Sequence, residues 1–371
     1  MKARWLAVVA AVVVAVAAGV FAVSSAPAST PAAGFDITHL DLHDGTMLEY
    51  NGTYYLYGEM YGCGFTWTQQ NTPWCGFGVS SSPDKVTWSK PQPLFLPSEI
   101  DVTDNMPWSQ VCGGTGADCY APRMIQRSGW GYNDGTFILW FDAPYDWNVN
   151  HANNSYYAMG CNGPMGPCGY NEDKETKPRT SVNKPVMKYC GGNADLDIVT
   201  PPGGAEPVAL CTNADQTVSE DELDVWGTNA NGDGTGSSDL AGLTGVEGLG
   251  AYLDTASNTW IMTYSDPNCK FCAGTATGYA TAPSLLGPWT APDNPPAQRP
   301  ASGRRDLNPT SCGGQPDTVL TLDGTPYEMI DIWSGALNEA SASLHFEPLA
   351  YHPGNTALGA LWQPFDVWQC Q

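Results

Sequence analysis

One short pattern occurs five times along this chain and constrains its fold more than any other feature. The first copy, His43–Glu59, consists of an alternating strand, an Asn51-Gly52 turn and a return strand rich in tyrosine, which together predict a β-hairpin. Similar hairpins begin near four further polar residues: Tyr120, Asp195, Glu247 and Gln315. The copies lie roughly 50 to 80 residues apart, at or above the repeat length of propeller blades.

This repeat predicts an all-β fold, a five-bladed β-propeller that forms a single domain over residues 29–371. Each blade of a propeller is a twisted antiparallel sheet whose first strand lines the central axis, and packing of blade on blade supplies the core. The residues that open the inner strands would then share one cavity. We expect Gly359–Phe365 to complete a blade and close the ring, with Cys370 holding the chain end. A pair of β-sandwiches would not explain the repeated polar residues.

Residues 1–28 have the pattern of a secretory signal peptide. Lys2 and Arg4 precede an apolar run from Leu6 to Val23, and small residues follow this run. We expect cleavage and an extracellular location. An uncleaved membrane anchor stays open as the alternative, because the run is almost long enough to span a bilayer.

Charge and cysteine content favour a protein that acts outside the cell. The net charge of −23 repels nucleic acid and anionic membranes and suits a protein acting on neutral polymers. The 12 cysteines are an even number, as full pairing in an oxidising compartment requires. Cys63 and Cys75 are placed to pin an aromatic loop. Cys269 and Cys272 predict a loop disulfide ahead of a zinc site, because no second such pair follows.

Carboxylates at the start of inner strands are the candidates for catalysis. Hydrolysis of a glycosidic bond with inversion needs a carboxylic acid to protonate the leaving oxygen and a carboxylate to activate water on the opposite face. Asp44 is the candidate base, Glu247 the candidate acid, and Asp195 a third carboxylate able to orient the acid. Asp44 could instead cap a turn, and Asp195 competes with Asp197 for its role.

Aromatic side chains near the blade mouths are candidate sugar platforms, because a ring presents an apolar face to the C–H side of a sugar. The candidates are Trp67, Trp74, Tyr120 and Trp147. Core packing is the alternative for each of them.

The hairpin motifs resemble those of glycoside hydrolase family 43, a group of five-bladed propeller enzymes. The matching segments are Asp44-Gly45, Gly52-Thr53-Tyr54-Tyr55, Tyr120-Ala121-Pro122, Asp195 with its apolar strand, and Glu247. The resemblance implies an inverting hydrolase with Asp44 as base, Asp195 as the residue that tunes the acid, and Glu247 as acid. The residues after Glu247 depart from the family pattern.

Within this family the opening hairpin is similar to that of the exo-acting 1,3-β-galactanases. Those enzymes have a His-Gly-Gly-Gly segment where this chain has His43, Asp44 and Gly45, which implies a role for His43 in substrate binding. They lack the first-blade aspartate and use a glutamine of the fifth blade near the water, and Gln315 stands at the comparable place. Both groups are present here, so the residue that serves the water stays open. Arg123 follows Tyr120-Ala121-Pro122 where that branch has Glu-Arg-Pro-Lys.

The sequence therefore predicts a secreted hydrolase of plant-type polysaccharide side chains, with galactan or arabinogalactan ahead of arabinan or xylan. We expect a monomer that binds a neutral polysaccharide or oligosaccharide, no nucleic acid and, after cleavage, no membrane. No cofactor is required, no metal ligands are assigned, and the resemblance implies a calcium or other cation in the axial channel that His345 or His43 could approach. A catalytically silent sugar-binding propeller and a retaining fructan-type hydrolase stay open, although the latter has a Glu-Cys-Pro setting that Glu247-Gly248-Leu249 does not match.

Overall fold

Five antiparallel sheets of four strands each are arranged as a propeller, which confirms the predicted all-β, five-bladed architecture. The computed structural model describes residues 32–66, 71–101, 105–112, 119–144, 154–169, 182–191, 195–267, 274–293, 302–353 and 364–370. The predicted signal peptide, the Cys269–Cys272 pair, Trp67 and Trp147 lie outside these residues.

The strands follow the chain from the axis outward in each blade, except that the first strand, β1 (Phe35–Ile37), belongs to blade 5. Blade 1 contains β2 (His43–Tyr50), β3 (Thr53–Glu59), β4 (Phe77–Ser82) and β5 (Gln92–Pro93). A two-stranded sheet, β6 (Ile100–Asp101) and β7 (Met106–Pro107), and a single turn of helix, α1 (Trp108–Val111), follow it. Blade 2 contains β8 (Tyr120–Gln126), β9 (Phe137–Asp142), β10 (Tyr156–Cys161) and β11 (Val182–Asn183).

The other three blades repeat this arrangement. Blade 3 contains β12 (Leu196–Val199), β13 (Val208–Thr212), β14 (Val218–Glu222) and β15 (Gly236–Ser237). Blade 4 contains β16 (Glu247–Asp254), β17 (Thr259–Asp266), β18 (Ala276–Ala282) and β19 (Asp306–Asn308). Blade 5 contains β20 (Gln315–Leu322), β21 (Thr325–Ile332), β22 (Ser343–Pro348) and β1. Two 3-10 turns lie at Leu240–Gly242 and Ser311–Gly313.

Tight turns between the first two strands of blades set the hairpin register. Asn51 and Gly52 both have positive φ, 52° and 71°, as do Asp323 and Gly324 at 50° and 76°. Type I′ turns require this conformation at both central positions, and asparagine or aspartate followed by glycine adopts it at little cost. The Asn-Gly and Asp-Gly pairs are therefore the local reason that these segments fold back as hairpins.

The hydrophobic core lies in seams between neighbouring blades. Phe77 of blade 1 packs on Phe141 of blade 2 with ring centroids 5.1 Å apart, and Phe141 stacks on Tyr157 at 5.4 Å. A second buried cluster joins blades 3 and 4 through residues such as Leu210 and Met262. Because each blade buries its faces on its neighbours, every inner strand is held in place by two other blades.

The N-terminal strand completes blade 5, and most of Gly359–Phe365, which we expected to complete a blade, lies outside the described residues. Strand β1 pairs antiparallel with β22, with Phe35 opposite Phe346, and their rings stack 4.6 Å apart. Residues 354–363 are outside the described part of the chain. Cys370 is bonded to Cys312, so the predicted attachment of the chain end is confirmed.

Five disulfides join the described cysteines: Cys63–Cys75, Cys112–Cys119, Cys161–Cys168, Cys190–Cys211 and Cys312–Cys370. The first confirms the predicted bond across the aromatic loop of blade 1. This disulfide content is typical of proteins that fold in an oxidising compartment. Within the described ranges, no helix has the length and apolar character needed to cross a membrane.

Candidate active site

Four of the five inner strands begin with an irregular step. The pairing of inner and second strands shifts between His43 and Thr46 in blade 1, and similar shifts occur at the start of β8, β16 and β20. In three of these inner strands the second residue has a left-handed backbone conformation. These residues are Asp44, Ala121 and Gly248, with φ of 48°, 53° and 60°. Such bulges re-aim side chains at the end of a strand. A Cβ atom on Gly248 would lie 2.0 Å from the Pro316 carbonyl oxygen, so glycine is required there.

The amides of these bulges link each blade to a carboxylate of the blade before it. Ala121 N donates to Asp44 Oδ2 at 2.9 Å, and Gly248 N donates to Asp195 Oδ2 at 2.9 Å. Asp44 N in turn points at the carboxylate of Asp331 in blade 5, at 3.3 Å. Two predicted catalytic carboxylates, Asp44 and Asp195, are therefore fixed by backbone donors from the next blade.

Glu247 opens β16 and lies in a side of the site built from blades 4 and 5. Gln315 Nε2 donates to Glu247 Oε1 at 2.8 Å, and Trp333 Nε1 donates to Gln315 Oε1 at 2.9 Å. The indole N–H thus sets the orientation of the amide, which presents its NH₂ group to the glutamate. The structure brings the predicted acid and the predicted glutamine together.

Asp44 lies in a charged side of the site. Its side chain is 17% exposed, and Arg123 Nη2 stands 3.7 Å from Asp44 Oδ1 and 2.6 Å from Asp317 Oδ1. Burial raises the pKa of Asp44 well above its ordinary value, the carboxylates of Asp317, Glu59 and Asp195 raise it further, and Arg123 opposes them. The base candidate therefore titrates above pH 3.8.

Asp195 and Asp197 take different positions. Asp195 is half-buried and bonded to the amide that follows Glu247, and burial together with Asp317 raises its pKa to about 6. Asp197 is buried with its Oδ1 3.5 Å from Arg123 Nε, and burial raises its pKa to about 6. Asp195 is thus the member of the pair that adjoins the acid.

Tyr120 opens β8 and is half-buried beside the site. Burial is the main reason that the pKa of its hydroxyl lies well above 10, and the negative charges of Asp142 and Asp195 raise this pKa further. Asp142 is fully buried, and burial raises its pKa to about 7. The electrostatic effect of Asp195 on this hydroxyl places Tyr120 near the predicted tuning residue.

Two other substrate-binding predictions are corrected by burial. Trp74 is 3% exposed and packs on Phe77, with ring centroids 5.2 Å apart, so it belongs to the core between blades 1 and 2. His43 is fully buried against Tyr61 and Trp333, with centroids 5.6 and 6.0 Å away. Desolvation lowers the pKa of His43 to about 3, so the buried ring is neutral.

The described residues do not fit a cation in the axial channel. The guanidinium of Arg123 occupies the space among Asp44, Asp197 and Asp317, so these carboxylates already have a positively charged partner from the chain itself. His345 lies elsewhere, where its two ring nitrogens meet Asp36 at 2.6 Å and Glu347 at 2.9 Å.

One described cluster, Cys312, His345 and Glu347, has the spacing of metal ligands. Cys312 is already bonded to Cys370, so its sulfur is not a thiolate. His345 of β22 instead contacts Asp36 of β1, so this histidine joins the two strands.

Solved structures resemble this chain in fold. No protein-family model matches it, and no curated protein sequence is similar to it. The exo-β-1,3-galactanase of Phanerochaete chrysosporium, solved with β-1,3-galactotriose, superposes with a TM-score of 0.57 and 16% identity over 84% of this chain. A GH43 β-1,3-galactosidase solved with galactodeoxynojirimycin gives 0.56 and 16% over 85%, and an endo-1,4-β-xylanase from Bacteroides thetaiotaomicron gives 0.53 and 18% over 85%.

The chain has the fold of family 43 glycoside hydrolases. The resemblance stated from the motifs is confirmed at this level. The chain spans 61% of the galactanase, 92% of the galactosidase and 93% of the xylanase.

Within the family 43 fold, sequence reasoning missed the partners that organise the site. Arg123, Asp317 and Trp333 were not assigned roles, although each contacts a predicted catalytic residue or its partner. A detectable signal existed for the first two, because a charged residue inside an otherwise apolar buried strand is costly unless it is paired. Trp333 follows the end of β21 and carries no comparable signal.

Proposed function

We propose that this protein is a secreted, inverting glycoside hydrolase that cleaves galactan or arabinogalactan side chains of plant-type polysaccharides. The observation that carries the proposal is the placement of Glu247 and Asp44 at the same end of two inner strands, in blades 4 and 1. Gln315 and Asp195 from the intervening strands are bonded to Glu247 and to its neighbouring amide. Two carboxyl groups with different surroundings are what inverting hydrolysis requires.

Glu247 serves as the general acid in this proposal. It protonates the glycosidic oxygen as the bond to the anomeric carbon breaks. Gln315 holds one carboxyl oxygen of Glu247, and Trp333 fixes the amide of Gln315. Asp195, bonded to the Gly248 amide, adds a nearby carboxyl that favours retention of the proton on the acid.

Asp44 serves as the general base. It accepts a proton from the water that attacks the anomeric carbon from the opposite face, which inverts the configuration. The contacts favour Asp44 over Gln315 for this step, because Gln315 uses its amide nitrogen on Glu247 and its oxygen on Trp333. The carboxylate of Asp44 is held by the Ala121 amide with Arg123 beside it, so it keeps a fixed direction.

A neutral, galactose-containing polymer is the substrate class that we favour. Two of the similar structures are galactan-degrading or β-galactosidase enzymes solved with galactotriose or galactodeoxynojirimycin. The net charge of −23 disfavours anionic polymers. The proposed protein is a monomer without a required cofactor, and its signal-peptide pattern and disulfides support secretion.

The test is a panel of β-1,3-galactan, arabinogalactan, arabinan, xylan and aryl glycosides incubated with the purified protein, with the products followed by proton NMR. Inversion of a β-galactoside releases α-galactose first. First release of the β anomer would favour the retaining alternative. Retained polysaccharide binding without any hydrolysis would favour the catalytically silent propeller.

A further inference from the structure

Arg123 lies at the centre of the ring and contacts four blades. It belongs to blade 2, is 1% exposed, and approaches three carboxylates on the inner strands of other blades. These are Asp44 at 3.7 Å in blade 1, Asp197 at 3.5 Å in blade 3 and Asp317 at 2.6 Å in blade 5. A single side chain of blade 2 therefore joins its own inner strand to those of blades 1, 3 and 5.

The surrounding negative charge is large. The carboxylates that face this guanidinium or one another include Asp44, Glu59, Asp195, Asp197, Asp317, Glu328 and Asp331. His43, close to Asp331, is neutral because burial lowers its pKa to about 3. Carboxylates that share a buried space raise one another's pKa, and burial chiefly raises that of Glu59 to about 8. Arg123 lowers the pKa of five of these carboxylates: Asp44, Asp195, Asp197, Asp317 and Asp331.

Arg123 also holds the backbone at the base candidate. Its Nη1 donates to the carbonyl oxygens of Asp44 at 2.9 Å and Gly45 at 2.8 Å. These carbonyls belong to the left-handed step that aims the Asp44 side chain. A planar guanidinium can reach carbonyl oxygens with one nitrogen and carboxylates with the others, which a spherical ion cannot do with the same directionality.

We propose that Arg123 is a built-in axial cation that takes the place of a bound metal ion and positions Asp44 for base catalysis. The part of this inference that concerns catalysis rests on the proposed function. The part that concerns the cation does not, and it can be tested without any substrate.

Arg127 provides a matched control on the same blade. It is equally buried, and it forms two contacts of 3.0 Å with Asp134 while its Nη1 donates to the Trp226 carbonyl oxygen. Its described ion-pair partner is this one carboxylate, outside the carboxylate cluster around Arg123. Removal of Arg127 therefore costs stability without leaving a cluster of uncompensated carboxylates.

The first experiment measures the thermal midpoint of the full chain with EDTA, with calcium chloride and with about 10 mM guanidinium chloride, far below denaturing concentrations. A ligand that binds the native state raises the midpoint. We expect no response of the wild type to EDTA or calcium. Arg123→Ala should have a lower midpoint that guanidinium raises, whereas Arg127→Ala should have a lower midpoint that guanidinium leaves unchanged. A wild type stabilised by calcium and destabilised by EDTA, or equal rescue of both variants, would overturn the proposal.

The second experiment uses Arg123→Lys, which keeps a positive charge and covers the case in which the alanine variant does not fold. Lysine cannot reproduce the contacts to two carbonyl oxygens, so we expect kcat to fall at least tenfold with KM little changed. The acidic limb of the pH profile of kcat should also move to higher pH by about one unit, because a weaker contact with the cation lets the pKa of Asp44 rise. An Arg123→Lys enzyme with wild-type kcat and an unmoved limb refutes the positioning role. If the wild type hydrolyses nothing on the panel, the proposed function fails, and the midpoint experiment still decides whether Arg123 is the axial cation.

Discussion

The two sides of the candidate site are built from opposite kinds of partner. Glu247 meets a neutral amide, Gln315, which is itself oriented by a neutral indole, Trp333. Asp44 meets the guanidinium of Arg123 and the carboxylates that surround it. A neutral donor on one oxygen of Glu247 is compatible with a proton on the other. Around Asp44, burial and the neighbouring carboxylates raise the pKa, and the guanidinium of Arg123 opposes them. The carboxyl groups of the proposed acid and the proposed base therefore differ in the charge of their neighbours.

The proposed roles of Glu247 and Asp44 are tested most directly by replacing each carboxyl group with an amide. We expect Glu247→Gln and Asp44→Asn each to lower kcat on polysaccharide by about 10³-fold, because general acid and base catalysis contribute this order of magnitude. Fold is retained in both, as circular dichroism and the thermal midpoint will show.

The two variants should then separate on an aryl galactoside with an acidic phenol. Such a leaving group departs without protonation, so Glu247→Gln should recover much of its activity and Asp44→Asn should not. Recovery of Asp44→Asn alone would exchange the assigned roles.

The pH dependence of kcat/KM tests the charged side of the site, where the neighbours of Asp44 set its pKa. The pKa of Asp44 is raised, so the base becomes protonated, and activity is lost, as pH falls through a value above 3.8. Asp317→Asn removes a negative neighbour that raises this pKa, so the acidic limb should move to lower pH. Asp323→Asn is the control, because Asp323 is an exposed partner of Lys85 in the β20–β21 turn and should leave the limb in place. A limb that moves up in Asp317→Asn contradicts the proposed repulsion.

We expect the smallest effect on kcat from a substitution on the neutral side of the site, around Glu247. Trp333→Phe removes the indole donor that orients Gln315, and loss of one hydrogen bond should lower kcat about tenfold or less. Trp289→Phe is a matched control, since Trp289 Nε1 donates to buried Glu220 at 3.1 Å between blades 3 and 4. Its stability should fall while kcat is unchanged. Equal loss of kcat in both variants would show that the effect is general.

Local patterns gave the correct positions of the hairpins because strand alternation and Asn-Gly turns act within a few residues. The site residues Asp44, Asp195, Glu247 and Gln315 are predictable for the same reason, since each stands at or directly before the start of an inner strand. The aromatic predictions were weaker. A tryptophan in a loop has the same sequence signal whether it faces a sugar or a core, and Trp74 faces the core.

The repeat, the all-β architecture and the polar residues at the strand starts can therefore be predicted from the amino-acid sequence, because short-range propensities fix them. The contact of Arg123 with Asp317, which is 194 residues away, and the pairing of β1 in blade 5 depend on the folded ring and cannot be predicted from local sequence. The bulges at Asp44 and Gly248 also escape a strict two-residue alternation, because one extra residue sends the following side chains to the other face. Contacts of this kind exist only once the ring has closed.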